Sequence, residues 1–236
     1  MLGIIVPLPA ECRSLCRHKV RIGDALSLAP GISVRISGMG PQRAVAAAQA
    51  LKDEGANAIL NWGCAAALKD ALQPGQLLLP EKLITTEGKT VAVDGNWRAR
   101  IQDILTDAFS ILSQPLTASN DIVATPASKQ SLQAATGAIA VDMESAALAC
   151  WAEEQNIPFV TLRAVADHAN SGIPEAVLMA TDDSGGIAVS CLLRHLLRHP
   201  TQIFDLLSLG HQFSKARASL ASAGGRLLPH NFCLPS

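Results

Sequence analysis

The sequence predicts an α/β fold: a three-layer domain whose mixed, mostly parallel central sheet is flanked by helices and followed by a C-terminal helical extension. Three observations predict it. Short apolar runs alternate with stretches of helical period, as expected where helices cover both faces of a sheet. The chain has 236 residues, a length that suits one sizeable core. Apolar residues make up 49% and charged residues 17%, a balance that favours a buried interior over disorder.

In chain order, the apolar runs place strands at 2–6, 32–36, 57–61, 76–80, 116–118, 138–141 and 158–165. Between them, helical patterns fall at 42–54, 98–112, 127–135 and 143–155. In the second, Ile101, Ile104, Leu105, Ala108 and Leu112 recur on one face. Segment 82–95 is polar, carries two glycines and reads as a hairpin excursion. Beyond residue 184 two helical runs follow, 185–199 and 201–222, separated by Pro200, whose ring disfavours one straight helix. Residues 1–199 therefore read as the α/β domain and 200–236 as a helical extension of the same domain.

Composition removes several function classes. A formal net charge of −1 supplies no field for nucleic acid, and 3% aromatic content with no tyrosine removes the stacking platforms of a single-strand binder. The six cysteines (Cys12, Cys16, Cys64, Cys150, Cys191, Cys233) lack metal-site spacing, so reduced thiols and no metal are expected. The first strand begins at once, without a basic leader, and no apolar stretch is long enough for a bilayer; a cytoplasmic location is the expectation.

In open α/β sheets ligands bind beyond the carboxyl ends of strands. Five polar segments follow strands here: Pro7-Leu8-Pro9-Ala10-Glu11, Ser37-Gly38-Met39-Gly40, Asn61-Trp62-Gly63-Cys64-Ala65, Val141-Asp142-Met143-Glu144-Ser145, and Arg163-Ala164-Val165-Ala166-Asp167-His168. Taken in this order over residues 2–195, they resemble the nucleoside phosphorylase family that includes methylthioadenosine/adenosylhomocysteine nucleosidase. The V-D-M-E-S and R-A-V-A-D pair is the most specific part. The resemblance implies a nucleoside phosphorylase-like fold, a homo-oligomer, and an enzyme that breaks the N-glycosidic bond of an adenine nucleoside, with no cofactor and either phosphate or water as co-substrate.

Such cleavage builds positive charge on the ribose and negative charge on the departing base, so an acid and an anion are needed in different places. By resemblance Asp167 is the acid at purine N7, with its proton retained through burial at the strand end. The family's 6-oxopurine enzymes tend to carry Asn there, so Asp favours adenine. The alternative for Asp167 is a helix cap. Glu144 would accept from the ribose hydroxyls, above an apolar wall supplied by Met143; its alternative is a first-turn Glu stabilised by the helix dipole. Glu11 aligns with the carboxylate that activates water, or is simply an N-terminal helix residue.

The same resemblance sets Asp142, Met143, Val123, Cys64 and Gly63 around the nucleoside. Ser37, Gly38 and Gly40 would line a phosphate or water pocket, with Arg43 either reaching a phosphate or merely solvated. The chain departs from the family at three places. Asn61 and Cys64 stand where many phosphorylases hold phosphate with Arg and Ser, Val123 stands where a Phe often stacks on the base, and Ala166 replaces a frequent Ser.

The tail resembles the C-terminal extension of the hopanoid-associated phosphorylase branch, through Leu193 to Ile203, Ala140 to Ser145 and Pro174 to Leu178. That implies adenosylhopane as substrate. Ile203, Leu206, Leu207, Phe213 and Leu220 put apolar groups on the tail helix, where they cover a lipid-linked nucleoside, meet a membrane, or pack on the domain or a second subunit. The alternatives to this activity are a methylthioadenosine/adenosylhomocysteine nucleosidase and a nonenzymatic purine-nucleoside-binding protein of the same fold.

Overall fold

The computed structural model describes residues 1–235 apart from 183, 187, 189, 193, 194, 196–198, 200 and 201. Of the helix expected over 185–199, residues 190–192 and 195 are helical and seven positions lie outside the described residues; the Leu193–Ile203 segment of the tail resemblance falls largely outside them. The elements run β1 (Leu2–Val6), α1 (Pro9–Cys12), β2 (Ala25–Ala29), β3 (Ile32–Ile36), α2 (Pro41–Asp53), β4 (Ala58–Ala67), β5 (Leu77–Leu78), β6 (Lys82–Ile84) and β7 (Thr90–Ala92). They continue with α3 (Gly95–Thr106), β8 (Ile111–Leu112), β9 (Leu116–Ala118), α4 (Pro126–Thr136), β10 (Ala140–Asp142), α5 (Ser145–Gln155), β11 (Phe159–Val165), α6 (Glu175–Ala180) and α7 (Gln202–Leu227), then a short 3-10 turn at Leu228–Cys233.

The sheet is mixed and mostly parallel. β4 sits at its centre, flanked in parallel by β1 and β11. Alternation along these strands sends side chains to two cores. Leu2, Ile4, Val6, Leu60, Trp62, Val160 and Leu162 face one core with α3 and α7, which contribute Trp97, Ile101, Ala216, Leu220 and Leu227. Ile5, Ile59, Phe159 and Val165 face the other, with Ala44, Ala48 and Leu51 of α2 and Leu148, Ala149 and Ala152 of α5. Three layers result. Small alanines on α2 and α5 let these helices lie close to the sheet and to each other.

β4 is longer than its expected 57–61. Pairing with β11 carries it through Gly63 and Cys64 to Ala65, and Ala66 and Ala67 then cross to an antiparallel partnership with β10. The segment that reads as a loop from composition is thus held as strand by two neighbours. The 82–95 excursion is the hairpin β6–β7. Helix α3 stops at Thr106 instead of continuing to 112, because Ile111 and Leu112 gain a parallel ladder with Leu77 and Leu78 that outweighs their helical spacing. α4 starts where Thr125 accepts from the Ser128 amide at 3.1 Å, with Pro126 in the first turn, and ends at Gly137 with φ 71°.

The tail helix divides in two. Ala216, Leu220, Ala223 and Leu227 are fully buried in the domain core, each leucine worth about 1.5–3 kcal/mol of burial. Its first turns instead expose Ile203, Phe204 (77%) and Leu207 (65%). Among the described residues no helix is long and apolar enough to cross a membrane.

Candidate active site

The chain ends of β1, β3, β4, β10 and β11 converge on a buried cluster of charge. At its centre is Arg163 of β11, whose side chain is fully buried. Its Nε donates to Asp142 Oδ2 at 2.7 Å, and its Nη2 donates to Glu144 Oε2 at 3.2 Å. Asp142 accepts at Oδ1 from the Glu144 and Ser145 amides at 3.2 and 3.0 Å, and at Oδ2 from the Ser145 hydroxyl. Ser145 in turn receives Asn61 Nδ2 at 3.0 Å. Asp142, expected among the nucleoside contacts, therefore has both oxygens engaged by protein donors beneath Glu144.

Glu144 is the residue before the first turn of α5, with φ −124° and ψ −38° and no side-chain cap bond. Its carbonyl accepts from the Leu148 amide at 3.0 Å, while its side chain turns away from its own helix. Its Oε1 accepts from the Gly40 amide at 2.9 Å, so the loop after β3 is tied to the start of α5. Gly40 takes φ 99°, a left-handed conformation that glycine adopts at little cost and that other residues resist.

Glu11 lies in α1 and is buried. Its Oε2 accepts from the Leu8 amide at 3.0 Å, which is the helix-start role, while its Oε1 reaches across to the Cys64 amide of β4 at 2.7 Å. The helix-start reading therefore holds, and the second oxygen ties α1 to β4. Gly63 is required between the two charges: a Cβ there would collide with Arg163 Nη1 and lie 2.9 Å from Glu11 Oε1. Among the described residues, the buried Arg163 Nη1 has no hydrogen-bond partner, an orphan donor beside the Glu11 carboxylate.

A fourth buried carboxylate sits further along β4. Asp167, on the loop after β11, accepts at Oδ1 from the Ala67 amide at 2.9 Å. No described helix starts directly after it, so it is not a cap. Its Oδ2 meets Lys129 Nζ of α4 at 2.5 Å, and the Lys129 side chain is only 1% exposed. Lys129 spends its other two donors on the His168 and Ser171 carbonyls at 2.9 and 3.0 Å. Val123 packs nearby with Leu68, Ala138 and Val141, and Met143 is half-buried between the buried Asp142 and Glu144.

Electrostatics follow from burial. Desolvation pushes the Glu144 carboxyl up to about 7, opposed by Arg163 and the Gly40 amide and reinforced by Asp142 and Glu11. Burial likewise raises Glu11, against Arg163 and the two amides that bond it. It raises Asp167 too, against Lys129 and the Ala67 amide. Burial and Glu11 hold the Cys64 thiol well above its ordinary value, so it stays protonated.

The remaining expected residues border this cluster. The Ser37 hydroxyl donates to the Gly38 carbonyl at 2.8 Å, which closes the loop, and Arg43 is exposed above it with Nη1 3.3 Å from the Met39 carbonyl. Two residues central to the geometry are absent from the sequence-based set: Arg163 and Lys129. A charged residue inside the apolar run Phe159–Val165 is a usable signal for the first, since unpaired charge is costly inside a sheet. Lys129 leaves no such mark, because helix cations are usually solvated.

No curated protein sequence matches the chain at a significant level. Solved structures do match in fold. The methylthioadenosine/S-adenosylhomocysteine nucleosidase of Helicobacter pylori superposes with a TM-score of 0.71 at 15% identity, covering 97% of both chains. That of Campylobacter jejuni gives 0.71 at 15% identity over 99% of both. The futalosine hydrolase of H. pylori gives 0.71 at 14% identity over 97% of both. The family model described as the phosphorylase superfamily matches residues 2–198, so with its strand ends gathered around Arg163 in the fold of these enzymes the chain belongs to the phosphorylase superfamily.

Proposed function

We propose that this protein cleaves the N-glycosidic bond of an adenine nucleoside and releases adenine, with water as the nucleophile. The observation that carries the reading is that two separate buried carboxylates hang from one strand. Glu11 accepts from the Cys64 amide and Asp167 from the Ala67 amide, three residues or about 10 Å apart along β4. That spacing suits the two ends of a nucleoside, with Glu144 linked to the Glu11 end through Arg163.

In this scheme Asp167, protonated, gives its proton to purine N7 while its other oxygen accepts from the 6-amino group. The C1′–N9 bond breaks with its electron pair leaving on the base. Glu144 lies against the ribose hydroxyls and the developing cation, and Met143 supplies the apolar wall. Glu11 takes a proton from water as its oxygen bonds to C1′. Positioned acid and base contribute about 10²–10⁴-fold each.

Water is favoured over phosphate by charge. Glu11, Asp142 and Glu144 gather around Arg163, three carboxyl groups that, when ionised, welcome a cationic sugar and repel a phosphate dianion. Arg43 above the Ser37–Gly40 loop favours phosphorolysis as the second reading.

The finer substrate we propose is an adenosyl lipid such as adenosylhopane. The support is positional: Gln212 Oε1 accepts from the His168 amide beside Asp167 at 3.1 Å, and the exposed Phe204 lies eight residues earlier on the same helix, about 12 Å along its axis. Deleting residues 201–236 would remove core leucines, so point changes are the proper probe of this face.

The test is adenine release from adenosine, methylthioadenosine and an adenosyl lipid, with and without phosphate. Release without phosphate is expected, with F204S/L207S impairing the lipid substrate at least tenfold more than methylthioadenosine. Absence of release from every nucleoside refutes the activity, strict phosphate dependence refutes water, and equal loss on both substrates refutes the lipid.

A further inference from the structure

We propose that Lys129 is a positioning residue for the base end of the site: its buried ammonium strengthens Asp167 as an acid and stabilises the carboxylate left when purine N7 takes the proton. This rests on the adenine-releasing reading above and deepens it.

The argument is geometric. Lys129 Nζ has three N–H donors and three protein acceptors within 3.0 Å, namely Asp167 Oδ2, the His168 carbonyl and the Ser171 carbonyl. An ammonium satisfied on every donor and 1% exposed is fixed in place, and a neutral amine would leave one of these acceptors without a proton. Helix α4 is anchored for this by its Thr125 cap and by the Gly137 stop.

Among the described residues, the charged or titratable groups facing Asp167 are few. Lys129 comes from α4 and His168 from the same loop; β4 presents the Ala67 amide, and α7 presents the neutral Gln212 to that loop. Lys129 therefore supplies the main counter-charge to Asp167, against burial that acts the other way.

The step balances simply. The Asp167 O–H bond breaks, an N7–H bond forms, the C1′–N9 electron pair leaves on adenine, and Asp167 remains as a carboxylate ion-paired to Lys129. A cation there favours the ionised acid, so the catalytic form persists only to a moderate pH, but the proton is given up more readily.

The experiment compares the wild-type chain with K129M and K129R. In K129M the basic limb of kcat/KM is expected to move up by about 1–3 pH units, as expected for loss of a cation within 4 Å of a carboxylate, while the acid-side plateau of kcat falls. K129R, which keeps a cation, restores both toward wild type. A purely structural lysine would lower activity at every pH without moving the limb, and that result overturns the proposal.

A binding readout separates this inference from the parent reading. The base 4-amino-5H-pyrrolo[3,2-d]pyrimidine carries an N–H where adenine has N7, so it needs the carboxylate form of Asp167. At pH 7 its affinity relative to adenine is expected to drop at least tenfold in K129M. An unchanged ratio refutes the role of Lys129, whereas failure of either base to bind the wild-type chain refutes the adenine site itself. Should K129M not fold, K129Q, which keeps polar donors without the charge, takes its place with the same expected shift of the limb and the same overturning result.

Discussion

Glu144→Gln tests the electrostatic reading of the cluster most directly. Burial raises the Glu144 carboxyl from 4.5 to about 7, so between these values the folded chain binds a proton that the unfolded chain has released. Stability is therefore lost as pH rises through that window, by about 3 kcal/mol at about 1.4 kcal/mol per pH unit. Glutamine has the same shape and no charge, so it lacks this loss. It carries a different cost: one end must present an NH2 group to either the Gly40 amide or Arg163 Nη2, both donors, at about 1–3 kcal/mol. The variant is expected to be less stable than wild type at pH 4.5 and to draw level with it or overtake it by pH 8. Urea midpoints at half-unit steps, read as the difference between the two chains, isolate Glu144 from other titrating groups. Adenine release should fall at least 100-fold in the variant at pH 8, where wild-type Glu144 is an anion beside the ribose, and by less near pH 5, where wild type is itself protonated. Parallel stability curves for the two chains over pH 4.5–8 would refute the claim that Glu144 is a buried, strained carboxylate.

Two further outcomes follow from the same geometry. Gly63→Ala places a methyl against Arg163 Nη1 and Glu11 Oε1, so kcat of adenine release should drop at least tenfold with a smaller change in melting temperature; wild-type turnover would show that the two charges have room to part. Arg163→Met leaves Asp142 and Glu144 buried without their cation and should cost about 3–5 kcal/mol at pH 7 by denaturant titration, with most of the deficit recovered near pH 4.5 as Glu144 takes up a proton.

The residues of the candidate site are picked out by their place after strands, which is a local signal, and by the family resemblance. Glu11, Glu144 and Asp167 each follow a strand in the sequence, and each is buried at the convergence of β1, β4, β10 and β11. The alternation in Ile32–Ile36 and the apolar residues in Leu116–Ala118 marked β3 and β9 at their observed bounds. Local pattern failed where the decisive partner is distant. β8 is two residues that become strand only by pairing with β5, and β4 runs on through a glycine because β11 and then β10 supply its hydrogen bonds.

The amino-acid pattern alone thus specified a layered α/β domain and the residue types at its strand ends, since side-chain period and turn chemistry are written within a few residues. Tertiary structure alone decided which charges meet. Arg163 answers Asp142 and Glu144, Lys129 reaches Asp167 across 38 positions, and the far half of the tail helix becomes core while its first turns stay exposed. A lysine on an amphipathic helix has the same local pattern whether it faces water or a buried carboxylate. Only the docking of α4 beside the end of β11 removes that water and makes the pair strong.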